Sequence, residues 1–239
     1  SPTVFEVKKE ANVRARQMFE KALELDPQYA EAYEGLGLSY FLEWWYGWNR
    51  APETLERALE LTQRAIALDG SLPGPHGQLG AIYLWKKQHD QAIAEAQRAI
   101  ALDPNEADGY VSLETILAFT GRPEEAIGLI EKAMRLNPHY PVSYLLFLSV
   151  AYREAGRYEE ALVPGKRFLS LNPNSVPAHF NLAVIYSELG REEEARAVVA
   201  EWQRLAPNIS VEGFRQFLPF KDPAVLERHL ATLRRAGLK

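Results

Sequence analysis

At 239 residues, with 47% hydrophobic and 25% charged side chains, the chain has the composition of an ordinary soluble protein. A net charge of −5 with scattered signs leaves no basic patch for nucleic acid. The absence of cysteine excludes a disulfide framework and thiolate metal sites, which fits the cytoplasm without excluding the periplasm.

No apolar run approaches the roughly 20 residues of a membrane-spanning helix, so membrane insertion is not expected. The first residues, Ser1-Pro2-Thr3, show neither an initiator Met nor a signal-peptide pattern, as expected of a trimmed fragment or a processed chain. Further along, six alanines, Ala15, Ala58, Ala92, Ala126, Ala161 and Ala195, recur at spacings of 43, 34, 34, 35 and 34 residues. Each stands twelve residues before a Pro or Gly. A period near 34 is the mark of stacked helix pairs, each of which needs its neighbours to bury its apolar face.

In chain order the frame predicts a half unit over 1–29 and then units over 30–72, 73–106, 107–140, 141–175 and 176–209, with a cap over 210–239, all in a single array. Every second helix closes on Leu-Asp-Pro or a variant, such as Leu102-Asp103-Pro104 and Leu171-Asn172-Pro173, because Pro cannot continue a helix. Mid-unit glycines (Gly121, Gly156, Gly190) supply the bend between helix A and helix B. The acidic residues after them, Glu124-Glu125, Glu159-Glu160 and Glu192-Glu193-Glu194, suit helix N-termini.

These columns resemble the tetratricopeptide repeat (TPR) family, in which helix A carries an aromatic, Leu-Gly and Tyr, and helix B carries Ala, a large residue, Ala and a closing Pro. Unit 73–106 shows Leu79-Gly80, Tyr83, Ala92, Ala99 and Pro104; others supply Tyr33, Leu36-Gly37 and Tyr40, Tyr110 and Leu113, and Leu182-Ala183 and Tyr186. The resemblance implies an all-α fold, a right-handed superhelix (α-solenoid) of antiparallel helix pairs ended by a C-terminal capping helix. Three further segments, Trp85-Lys86-Lys87-Gln88-His89, Leu218-Pro219-Phe220-Lys221-Asp222-Pro223 and Leu233-Arg234-Arg235-Ala236-Gly237-Leu238, together with a Trp-rich first turn, are similar to the C-terminal TPR region of bacterial adenylate/guanylate cyclase-like signalling proteins. That likeness implies a catalytic domain N-terminal to this chain and none within it.

Several residues depart from the pattern. Unit 30–72 is nine residues too long between its helices and holds Trp44, Trp45, Tyr46 and Trp48, either an exposed anchor for a partner or rings packed on the half unit and Trp85. Glu114 replaces Gly or Ala at a helix crossing, which predicts a basic partner or a polar contact in a site. Gly165 and Phe168 exchange volume within helix B, Pro164 predicts a bend, and Trp202 is expected under the cap. The cap reads as a helix A pattern over 211–220 and a final helix begun by Asp222-Pro223 and stopped by Gly237.

No catalytic residues, cofactor or metal site emerges: the five histidines, His76, His89, His139, His179 and His229, lack ligand spacing and read as packing residues. An enzyme is the remote reading. The expected function is a protein-interaction scaffold that binds a protein or peptide in an apolar groove, or alternatively holds copies of itself together. The resemblance places groove-lining positions at Leu38, Leu42, Gln78, Trp85, Val111, Thr115, Phe119, Leu145, Leu146, Ser149, Arg153, Phe180, Asn181 and Val184. Only Arg153 and Asn181 resemble the carboxylate clamp with which some TPR domains hold acidic tails, so such a clamp is not expected.

Overall fold

A computed structural model describes residues 4–239, with side chains from residue 9 onward. Among the described residues there are thirteen α-helices and no strand. Helix α1 (Val4–Leu25) comes first and is followed by the pairs α2 (Ala30–Trp45)/α3 (Pro52–Leu68), α4 (Pro73–Trp85)/α5 (His89–Leu102), α6 (Ala107–Phe119)/α7 (Pro123–Leu136), α8 (Ser143–Glu154)/α9 (Tyr158–Leu171) and α10 (Val176–Glu188)/α11 (Glu192–Leu205). The cap contributes α12 (Val211–Phe217) and α13 (Pro223–Arg235). The chain divides into two compact units, Ser1–Ser112 and Leu113–Lys239, with the division inside α6.

Five ladder alanines, from Ala58 to Ala195, are fully buried; Ala15 is only half-buried, since the half unit has one helix. Small side chains at these crossings let helix axes approach closely, as close packing requires. The turn glycines Gly121, Gly156 and Gly190 adopt φ of +83°, +73° and +70°, which costs a residue without Cβ little. In unit 73–106 the same turn is made by Lys87 at φ +59°, the one non-glycine residue with positive φ among those described.

The nine extra residues of unit 30–72 do not form one insertion between the helices. Helix α2 has 16 residues where α4 has 13, α3 has 17 where α5 has 14, and the connecting stretch has six residues where the other turns have three. The excess is shared equally among two helix ends and a loop.

In the first unit α1 lies against α2 through Asn12 Nδ2, which donates to the Ser39 carbonyl at 3.0 Å, and Arg16, which pairs with Glu43 at 2.5 Å and stands over the Tyr40 ring. In the second unit acidic first turns pair with the residue before the helix: Arg122 Nε donates to Glu125 at 2.7 Å, Arg157 Nε to Glu160 at 2.9 Å and Arg191 Nε to Glu194 at 2.9 Å. These exposed pairs fix turns and contribute little each. Helix α9 runs unbroken across Pro164, and a Cβ added at Gly165 would meet Ser149 Oγ at 2.6 Å. Gly165 thus admits α8 closely, while Phe168 one turn later is buried against Leu145 and Leu146, as the volume exchange predicts.

The cap corrects one boundary. The helix A pattern expected over 211–220 stops at Phe217, because Leu218 precedes Pro219 and is extended at φ −67°, ψ 134°. Helix α13 starts and stops as expected: Asp222 Oδ1 accepts from Ala224 N at 2.8 Å, and Gly237 closes it at φ +99°.

Candidate functional site

In the first unit the helix A face stays partly open. Leu38 is 44% exposed, and Leu42, Gln78, Trp85 and Val111 are half-buried. Beside them the long unit resolves its two readings residue by residue. Trp44 is buried with its ring edge-on to Trp85 at 5.8 Å, which is the packed reading, whereas Trp45, Tyr46 and Trp48 are half-buried around the loop, Trp45 edge-on to Tyr46 and Tyr46 stacked on Trp48. Tyr46 and Trp48 lie nearly parallel, 4.9 Å apart, and burial raises the Tyr46 hydroxyl above the ordinary tyrosine value. A stack of rings half covered by one another offers broad apolar area at low entropic cost to a partner.

The second unit differs. Of its predicted groove positions Thr115 and Phe119 are half-buried, while Leu145, Leu146, Ser149, Arg153, Phe180, Asn181 and Val184 are buried. Ten consecutive residues of α10, Ala178 to Ser187, are buried, so the helix is covered on every side. Its neighbours are α8, α9 and α11 and, in addition, the C-terminal segment. Lys221 N donates to the Phe119 carbonyl of α6 at 3.0 Å, His229 Nε2 meets Glu154 of α8 at 3.1 and 3.2 Å, and Thr232 Oγ1 donates to Glu188 of α10 at 3.0 Å. Phe180 and Val184 share a core cluster with the segment's Phe220, Leu226, Leu230 and Leu233, whereas Leu145 and Leu146 pack with Phe168 of α9 and Ala178 of α10; all seven proposed contact residues are buried.

Beneath it runs a buried polar chain. Ser149 Oγ donates to the Ala161 carbonyl at 2.7 Å and accepts from Asn181 Nδ2 at 2.6 Å; Asn181 Oδ1 accepts from Arg153 at 2.8 Å; Arg153 Nε donates to Glu154 at 2.8 Å. The two clamp-like residues are thus satisfied within the chain, and an incoming carboxylate would meet Glu154 as well as Arg153. Burial alone would raise the Glu154 carboxyl, but the Arg153 guanidinium and the His229 hydrogen bond outweigh it and hold it down at about 2. Burial lowers His229 beneath the usual imidazole value despite Glu154. His229 is then neutral and donates Nε2–H to the carboxylate, with Nδ1 buried and unpartnered.

Glu114 overturns the expectation of a basic partner. It is fully buried; one oxygen accepts from Thr115 Oγ1 at 3.0 Å, the other has no hydrogen-bond partner, and burial raises the carboxyl to about 8. At neutral pH it is a neutral acid in the core of a helix crossing.

His76 and His179 are buried and His229 fully so, as packing residues should be; His139 is exposed and His89 half-buried, which corrects that reading for His139. Trp202 is fully buried against Phe180 and Phe214 under the cap, as expected. Among the described residues there is no cluster of three His, Asp or Glu side chains able to hold a metal, and no helix is long and apolar enough to cross a membrane.

Stacked helix pairs with small residues at their crossings define a solenoid of the protein-interaction class. Three family models described as tetratricopeptide repeat match residues 75–106, 115–175 and 152–215. The chain belongs to the tetratricopeptide repeat family.

A curated relative, "Putative adenylate cyclase 3" of Rhizobium meliloti (strain 1021), is 41% identical over 83 residues, which make up 34% of this chain and 14% of that protein. Among solved structures, the APC/C hetero-tetramer Cut9–Hcn1 superposes with a TM-score of 0.72 at 19% identity, over 95% of this chain and 40% of the other. PilW, a type IV pilus biogenesis factor, gives 0.63 at 18% over 87% and 88%, and the thermophilic TPR protein TTC0263 of Thermus thermophilus gives 0.61 at 22% over 86% and 99%. At these identities the likeness concerns the fold.

Proposed function

We propose that this chain is a non-catalytic protein-interaction module of a larger bacterial signalling protein, and that its partner-binding surface lies on the first unit. One observation carries the placement: Leu38, Leu42 and Trp85 lie beside the half-buried ring cluster of Trp45, Tyr46 and Trp48, whereas the matching positions of the second unit are buried. The surface is apolar with aromatic anchors, which suits an amphipathic helix or an extended peptide with hydrophobic side chains. The signalling context rests on the partial match to the cyclase-named relative, and a nucleotide cyclase domain is proposed to precede the segment in the parent protein.

The test is affinity capture with the purified chain, comparing wild type, Trp45→Ala, Leu38→Asp and Leu146→Ala. Partners retained by Leu146→Ala and lost by the first two support the surface; partners indifferent to Trp45→Ala and Leu38→Asp sink it. Turnover of a nucleotide by the chain alone would overturn the non-catalytic reading. Self-association through the same half-buried rings is the second reading, and light scattering against concentration decides it.

A further inference from the structure

The segment after α12 behaves as a ligand of its own chain. Leaving α12 through the non-helical Leu218–Lys221, it touches α6, then α8, then α10, the successive A helices of the second unit. Phe220 packs edge-on to Phe119 at 4.9 Å and near His229 at 5.2 Å. On α13 the inward residues Leu226, His229, Leu230 and Leu233 are buried, and the outward residues Glu227, Arg228, Ala231, Arg234 and Arg235 are exposed. That is the one-sided stripe of a helix lying in a groove. Helix α13 is capped at both ends by its own residues, Asp222 and Gly237. Its seat carries costs too: the imidazole is buried with Nδ1 unsatisfied, opposite a carboxylate that must stay dry.

We propose that residues 218–235 are a displaceable intramolecular cover, and that the helix A face of the second unit accepts in its place an amphipathic helix with the α13 spacing: Leu, imidazole at +3, Leu at +4 and Leu at +7. Glu154, already neutralised on one side by Arg153, selects a neutral or cationic hydrogen-bond donor at the +3 position and disfavours an acidic one. The inference rests on reading helix A faces as ligand-binding, but not on the surface of the first unit.

The chain contains no cysteine, so single thiols can be placed in it cleanly. Val184, one helical turn from Phe180 and from Glu188, lies under the cover; Leu233 lies on the cover; Ile130 is buried in α7 away from it; all three are fully buried. Thiol labelling of full-length Val184→Cys, Leu233→Cys and Ile130→Cys is followed with and without a synthetic peptide of residues 222–239. Local opening predicts labelling at 184 and 233 roughly tenfold or more faster than at 130. Added peptide should speed labelling at 233 in proportion to its concentration and leave 184 unchanged or slower, because it refills the groove.

Equal rates at all three sites, or a peptide effect that is absent or common to all three, would overturn the proposal. Should a cysteine variant fail to fold, amide exchange of the wild-type chain reads the same opening: faster exchange in α13 than in α7 and α9 is expected, and equal exchange is contrary. Trp45→Ala and Leu38→Asp should not move these rates, so the two surfaces can fail separately.

Discussion

The two units carry the same repeat grammar and end with opposite helix A faces. In the first, Leu38 is 44% exposed beside a stack of half-buried rings; in the second, α10 is buried along ten residues and its polar side chains are bonded internally. The repeat builds the face in both, and a segment outside the period fills it in one. What a repeat array can bind is therefore decided by its irregular parts.

The strongest way to break this comparison is at the filled face. Trp202→Ala removes a fully buried indole packed on Phe180 and Phe214 and should cost the second unit about 3–5 kcal/mol, whereas Leu38→Ala in the first should stay within about 0.5 kcal/mol. Urea unfolding read by amide exchange in each unit measures both. Similar costs for the two substitutions would mean that the faces do not differ.

Glu154→Gln comes next. It leaves Arg153 buried and uncompensated, for an expected loss of about 3–5 kcal/mol. The pH dependence has a definite sign. The native Glu154 carboxyl sits at about 2, below its usual 4.5, so its contribution is present above pH 4.5 and disappears as pH falls toward 2. Native His229 also lies below its usual 6.5, so the neutral form is the native one and stability begins to fall as pH drops below 6.5. Acid should loosen the cover in two stages, and His229→Gln should remove the upper stage alone. A stability curve for His229→Gln that keeps the wild-type slope between pH 5 and 6.5 would contradict this.

Glu114 acts in the opposite direction. With a native value of about 8 against 4.5 unfolded, it favours the native state fully only below pH 4.5, and that contribution declines as pH rises to 8 at up to about 1.4 kcal/mol per unit. Glu114→Gln keeps an oxygen for Thr115 and cannot ionise, so it should raise stability by a few kcal/mol at pH 8 and little at pH 5. An unchanged denaturation midpoint at pH 8 would show that the carboxyl finds a counter-charge.

The frame was legible because it rests on local chemistry: Pro after Leu-Asp, Gly in the turns and Ala at the crossings each dictate backbone geometry or closeness at their own position. Helix boundaries in the repeats and the Asp222 and Gly237 ends of α13 follow from those rules. The covering of the second face was not legible, since His229 and Glu154 are 75 residues apart and nothing in the 3.6-residue stripe of α13 says which groove it enters. A stripe of leucines that reads as a cap also packs against a helix A face. The signal available was that His229 sits within the apolar stripe, where an imidazole needs a partner. Glu114 misled for a related reason: burial of a carboxyl predicts either a counter-charge or a proton, and sequence does not choose between them.

The smallest effect tests the frame itself. Lys87 occupies the left-handed turn position that Gly121, Gly156 and Gly190 hold in the other short turns, with its amide donating to the Leu84 carbonyl at 2.8 Å. A residue with Cβ loses roughly 1–2 kcal/mol in that conformation, and glycine returns part of the gain by making the unfolded chain freer. Lys87→Gly should therefore stabilise the first unit by about 0.5–1 kcal/mol, while Gly121→Lys should destabilise the second by a similar amount. Because Lys87 is exposed and the neighbouring Lys86–Glu56 ion pair is untouched, the backbone conformation is the main quantity that changes. Opposite signs for the two exchanges would confirm that one turn geometry serves both units; a loss from Lys87→Gly would mean that the lysine side chain, and not the period, shapes the turn beside the aromatic surface.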